Sequence, residues 1–368
     1  MMLFPPSDQT TPARLLAAVR AAVPAMQARA AALDAAAAFP VDDMAALARA
    51  GLLAAAVPVA RGGLGAGTEP VGTDLALGLL TLCGQGNPAV ARLFEAHVNA
   101  LRLVTRYGTP EQQRGAAWDT LDGHLFGLWV TDPPGEGVRV DAGHLVGRKG
   151  PCSGAGHCTR AVVTASVEAG TVLVLAALSG QEAAVPLQGL HGMRAAANGT
   201  IVLDGVPAPP GAVIGQPGDY LREPDFSCGA WRSSAAASGA LDALAEAVRA
   251  ALVRRGHADA PMQQARFGQV LIAQETARLW MARAATVAEA VDGDPAMQVA
   301  YVNLARIAVE TACLDALRHV QRSLGLAAFV APHPVERLAR DLATYLRQPA
   351  PDAVLLEAAA WHLGQAPC

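Results

Sequence analysis

The chain has 368 residues, 52% of them hydrophobic and 16% charged, with a formal net charge of -4 and a pI of about 6.1. That composition excludes a disordered chain and leaves length for two or three domains around a large core. The acidic balance argues against nucleic acid as a partner, because phosphates call for a basic face, and against a polybasic membrane contact.

The mean hydropathy of +0.27 owes much to alanine. The longest strongly apolar stretch, Thr171 to Leu178, falls well short of the roughly 20 residues a spanning helix needs. Met1 to Arg14 shows no basic region followed by an apolar run, so the expectation is a cytoplasmic protein without a signal peptide. Cysteines at 83, 152, 158, 228, 313 and 368 form no CxxC pair and read as reduced thiols, with neither a disulfide framework nor a metal site.

In chain order, Arg14 to Ala38 has leucine and valine at helical spacing. Pro40, Asp42 and Asp43 open a second helix that ends near Gly51. Pro58 and Gly62-Gly63 mark a loop. Helical patterning over Leu75 to Tyr107 predicts one long helix, and Thr109 with Pro110 and Gln112 predicts the cap of the next. From Gly123 the pattern changes to short apolar or β-branched runs: Leu125 to Thr131, His144 to Gly147, Ala161 to Ser166, Val172 to Leu178 and Thr200 to Leu203. After Arg222 the helical period returns. Its stripes are Leu241, Leu244, Val248 and Leu252, then Val270, Ala273, Ala277 and Trp280, then Leu304, Ile307, Thr311 and Leu314, with a last helix over Asp352 to Leu363. The expected fold is mainly α with a central β-domain. It comprises an N-terminal helical domain over 1–122, a small β-barrel-like domain over 123–222 and a four-helix bundle over 223–368.

Residues at the junctions add a resemblance. Gly51-Leu52-Leu53, Pro58 and Gly62 to Gly65, Tyr107 to Gln112, and Val130-Thr131-Asp132-Pro133 stand in order along the chain. They are followed by Gly147 to Gly154, Leu190 to Arg194, Leu203 to Pro207, and Pro334 to Arg337 with Arg340-Asp341. The set resembles the acyl-CoA dehydrogenase superfamily of flavoproteins. The resemblance implies an FAD bound between the β-domain and the bundle, with Leu128, Val130, Thr131 and Ser153 beside the isoalloxazine and Gly325 in the last bundle loop. It also implies a homodimer or homotetramer acting on an acyl thioester, on CoA or a carrier protein, with an electron-transfer partner or a flavin reductase.

The sequence departs from this family's pattern at the chemistry. Removal of an α-proton needs a carboxylate base, and the two family positions for it fall on Pro349 and on Trp231, beside Arg232. The tryptophan usual in the second hairpin is Pro151, Gly137-Val138 is shifted, and the Arg255 to Pro261 loop is short. The remaining carboxylates near these points are Glu223, Asp225 and Asp352, and Arg232 is a candidate for binding substrate. Three readings stay open: dehydrogenation of an acyl thioester, flavin-dependent monooxygenation, and a degenerate binding or assembly subunit. Arg340-Asp341 reads as a structural ion pair or helix-end contact, His157, Cys158 and Cys152 as loop or core residues, and Trp280 and Trp361 as core or interface.

Overall fold

The computed structural model describes residues 11–364 except 181, so Cys368 and most of the Met1 to Arg14 stretch lie outside the described residues. Helix α1 (Pro12–Ala36) starts at Thr11, whose hydroxyl accepts the Arg14 N–H, and buries Leu15, Val19, Val23, Met26 and Ala30. Helix α2 (Val41–Arg49) follows. The single helix expected over Leu75 to Tyr107 is two, α3 (Thr73–Gly86) and α4 (Pro88–Tyr107). Asn87 between them is extended and its side chain accepts the Ala89 N–H, while Pro88 takes the first helical position, where its missing N–H costs nothing. Helix α5 (Pro110–Leu121) carries the capping box of Thr109 and Gln112.

The middle of the chain forms two sheets. Strands β1 (Phe126–Trp129), β2 (Arg139–Asp141), β3 (His144–Val146), β5 (Arg160–Val167), β6 (Gly170–Ala177) and β9 (Val213–Ile214) make the larger one, in the order β3-β2-β5-β6-β9. Strand β1 runs parallel to β5, with Leu128 opposite Val162. Strands β4 (Arg148–Cys152), β7 (Ala184–Pro186) and β8 (Gly199–Val202) make the smaller sheet. β2, β4, β7 and β9 lie outside the runs read as strands, because charged residues and prolines such as Arg148, Lys149, Pro151 and Pro186 hide the alternation.

Histidine 97 ties the β-region to the N-terminal helices. It is fully buried, its Nδ1 accepts the Phe126 N–H at 3.1 Å, and its Nε2 faces the Leu53 carbonyl at 3.2 Å. Burial pushes it down to about 4, so near neutrality the ring is neutral, with the proton on Nε2 for Leu53.

The rest of the chain is helical: α6 (Asp225–Cys228), α7 (Ala230–Arg254), α8 (Pro261–Ala288), α9 (Pro295–Leu324), α10 (Pro334–Tyr345) and α11 (Pro351–Leu363). The α7 stripe is buried as expected. The α9 stripe is not: Leu314 is exposed, and the buried face is Val302, Ala305, Val309, Ala312, Ala316 and Val320. Small residues let α9 approach its neighbours closely, so the larger apolar residues face outward. Glycine does the same between α3 and α7, where a Cβ on Gly239 would lie 1.9 Å from the Thr81 carbonyl oxygen. Among the described residues no helix is long and apolar enough to cross a membrane.

One joint locks the β-region against the bundle. Asp341 on α10 accepts the Met193 N–H at 2.6 Å and pairs with Arg337, while Arg340 pairs with Asp34 of α1 at 2.7 Å and donates to the His191 carbonyl. A Cβ on Gly192 would lie 2.1 Å from the Arg340 carbonyl oxygen, so only glycine permits this approach. Arg340 and Asp341 are each ion-paired, with other residues rather than with one another.

Candidate functional site

The sequence-predicted strand residues and hairpin residue form one patch. Trp129, almost wholly buried, donates its indole N–H to the Ser153 carbonyl at 3.0 Å. Gly150 N–H donates to the Thr131 carbonyl at 2.9 Å, and the Thr164 hydroxyl to the Val130 carbonyl. Lys149, the only lysine in the chain, is 1% exposed and reaches Asp132 at 2.5 Å and Thr164 at 2.8 Å. These ties hold Leu128, Val130, Thr131 and Ser153 together. Leu128 and Val130 are half-buried, and Thr131 is exposed, its hydroxyl without a partner among the described residues. Ser153 is buried, its hydroxyl bonded to Asn198 Oδ1 at 2.9 Å. Gly325 stands apart at the end of α9, with φ +59 and nothing within 4 Å of where a Cβ would sit.

This patch fits the edge of a flavin. A hydroxyl free of protein partners is presented on a strand end whose carbonyls are already satisfied, so a polar ring edge would meet a donor without displacing a protein bond. The Thr131 side chain is exposed to solvent.

Toward the bundle, α4 carries a belt of polar residues at 92, 95, 99 and 102, which share one helical face. Arg92 donates to Glu95 at 2.6 Å, Asn99 to Glu95 at 2.8 Å, and Arg232 of α7 to Asn99 at 2.5 Å. Arg232 and the Trp231 indole both donate to Glu289 at 3.2 Å, and Arg102 also pairs with Glu289. Tyr345 of α10 donates to Glu95 at 3.1 Å. Arg232 therefore sits buried inside an ion-pair network, where burial lowers its hold on its proton.

Neither family position for the base holds a carboxylate, and the structure shows what each residue does instead. Trp231 is fully buried against Glu289, and the Pro349 carbonyl accepts from Arg306. Glu223 binds Ser227, Asp225 binds Tyr107 and Arg106, and Asp352 is exposed in the first turn of α11. The sequence reading missed Glu95 and Glu289. The signal for Glu95 was a carboxylate at helical spacing from Arg92, Asn99 and Arg102 in an otherwise apolar helix.

Beyond the turn that follows Ser153 lies a cleft of about 1040 Å³, lined in part by Phe39, His157, Arg194, Asn198 and Arg340. The His157 ring stacks on Phe39 with centroids 4.1 Å apart. Leu128, Val130, Thr131 and Ser153 are not among its lining residues. Cys152 and Cys158 are buried, and burial pushes both thiols up to about 12, which leaves them protonated packing groups.

Residues 12–123 match the family described as acyl-CoA dehydrogenase, N-terminal domain. The helix–sheet–helix order extends the same likeness over the remainder of the chain. Residues 12–123 thus match the family's N-terminal domain, and the chain as a whole has the acyl-CoA dehydrogenase fold. Among solved structures, KijD3 in complex with FMN and a dTDP-linked amino-keto sugar is 24% identical, with a TM-score of 0.80 over 98% of this chain and 96% of that one. Butyryl-CoA dehydrogenase from Megasphaera elsdenii is 14% identical, with a TM-score of 0.83 over 96% and 99%. FMN-bound TdsC from Paenibacillus sp. A11-2 is 18% identical, with a TM-score of 0.79 over 96% and 98%. These likenesses show the fold. No curated protein matches the chain by sequence. Members of this superfamily bind flavin, and its fold serves both dehydrogenases and flavin monooxygenases.

Proposed function

We propose that the protein is a flavin-dependent oxidoreductase of the monooxygenase kind, with the flavin edge at Thr131. The observation that carries the choice over acyl thioester dehydrogenation is the absence of a carboxylate at both base positions, Pro349 and Trp231. Glu95 does not replace it, because Arg92, Asn99 and Tyr345 all donate to it. When bound in reduced form, a flavin would supply two electrons for the reduction of oxygen. The chain's own part is to bind and orient. The Thr131 hydroxyl donates to the ring edge, the Trp129–Ser153 bond fixes the strand relative to the hairpin, and Lys149 holds the strand exit. FAD is the flavin the motif pattern favours, and FMN in KijD3 and TdsC makes it the competitor to test. Exposed Leu271, Ile272 and Leu279 on α8, with Leu314 on α9, support pairing of bundles between copies. The test is oxygen consumption with a supplied flavin reductase, set beside anaerobic bleaching of the bound flavin by acyl thioesters. Reductase-dependent oxygen uptake without bleaching supports this reading, and bleaching by a thioester overturns it in favour of dehydrogenation.

A further inference from the structure

The hydroxyl of Ser153 carries a single hydrogen, and its neighbours commit it. Its oxygen lies 2.9 Å from Asn198 Oδ1, and the other end of that amide, Nδ2, donates to the Met193 carbonyl at 2.8 Å. Turning the Asn198 amide over would set two oxygens against each other at Met193, so its orientation is fixed. An amide oxygen only accepts, so Ser153 is the donor and has no second hydrogen to give. Asn198 has little freedom of its own. Its carbonyl accepts the Leu187 N–H at 2.8 Å, and the carbonyls of Ala196 and Ala197 accept the N–H groups of Gly154 at 2.9 Å and Ala155 at 3.1 Å. At the other end of this segment the Met193 N–H is held by Asp341 of α10 at 2.6 Å. Met193 and Ala197 both lie in the left-handed region, at φ 58 and 47, which residues with a Cβ keep only where the surroundings enforce it. The segment is therefore clamped both to the turn that follows Ser153 and to α10. Ser153 is 8% exposed, so little water competes for its hydrogen.

We propose that Asn198 is a positioning residue that holds Ser153 as a hydrogen-bond acceptor towards the flavin, so that the hairpin favours the reduced ring over the oxidised one. The inference rests on the flavin reading of the Thr131 patch. Reduction converts N5 of an isoalloxazine from an acceptor into an N–H donor. A hydroxyl already spent on Asn198 can meet the donor and not the acceptor, whereas a serine with a free rotor would serve both. The two hydroxyls of the patch thus divide the roles. Thr131, without a partner among the described residues, is free to donate, and Ser153 is held to accept.

The test is anaerobic calorimetric titration of the full-length protein with oxidised FMN and with photoreduced FMN, repeated with FAD. Asn198→Ala frees the Ser153 hydroxyl to donate, so it should bind the oxidised flavin about fivefold tighter than the parent does, the size of one hydrogen bond. A role confined to packing would instead loosen both forms alike. Ser153→Ala, which leaves the segment from 193 to 198 in place, should weaken the reduced form alone by a similar factor. Should Asn198→Ala not fold, the affinity ratio of the two forms in Ser153→Ala decides. Unchanged or equally weakened binding of both forms in Asn198→Ala, or a ratio in Ser153→Ala equal to the parent's, overturns the proposal and leaves the flavin reading standing. No binding of either form by the parent overturns the flavin reading and this inference with it.

Discussion

Arg232 and Arg92 stand at different points of one hydrogen-bonded belt and do different work. Arg232 is 4% exposed and held by Asn99 and Glu289, with Trp231 beneath its guanidinium at 5.5 Å. Arg92 has a single protein partner and accessible donors. The first arrangement is how a protein tolerates a buried charge, with Nε on Asn99 and Nη1 on the Glu289 carboxylate. The second leaves donors that solvent reaches.

The comparison breaks most sharply at Glu289. Glu289→Ala leaves Arg232 and Arg102 buried without their shared acceptor, and should cost about 3–5 kcal/mol in chemical denaturation. Arg92→Met should leave the denaturation midpoint near the parent's, so similar losses in both would erase the distinction.

A second, pH-dependent effect tests the joint at His97. The folded protein holds this ring neutral down to about pH 4, whereas the unfolded chain protonates it near its ordinary value of 6.5. Stability from the depressed value is fully present above pH 6.5 and is lost as pH falls towards 4, by about 3 kcal/mol in all. His97→Gln should flatten that part of the urea-midpoint profile, and an unchanged slope would contradict the neutral-ring assignment.

The smallest expected effect is at the open patch. Thr131→Val should weaken flavin binding by about 1 kcal/mol, roughly fivefold in Kd, with no change in melting temperature. Unchanged flavin affinity and reduction rate would remove Thr131 from the cofactor site.

Much of the architecture was legible because periodicity reports burial. The α7 stripe and the β5 and β6 runs each carry an unbroken apolar pattern. The reading failed where packing uses small residues, as on α9, whose alanine-rich face is the buried one. It also merged α3 with α4, since the break at Asn87-Pro88 does not interrupt the hydrophobic period. The candidate positions Leu128, Val130, Thr131 and Ser153 came from linear motifs. The belt was not, because Arg92, Glu95 and Asn99 meet Arg232, Glu289 and Tyr345 only after the chain folds back from residues more than 100 positions away.

The measurement closest to the central claim is a visible-absorption titration of the full-length protein with FAD and, separately, with FMN. The account predicts one equivalent of flavin per chain with a perturbed flavin spectrum, and weaker binding in Thr131→Val. Free-flavin spectra at every addition of both compounds would contradict it.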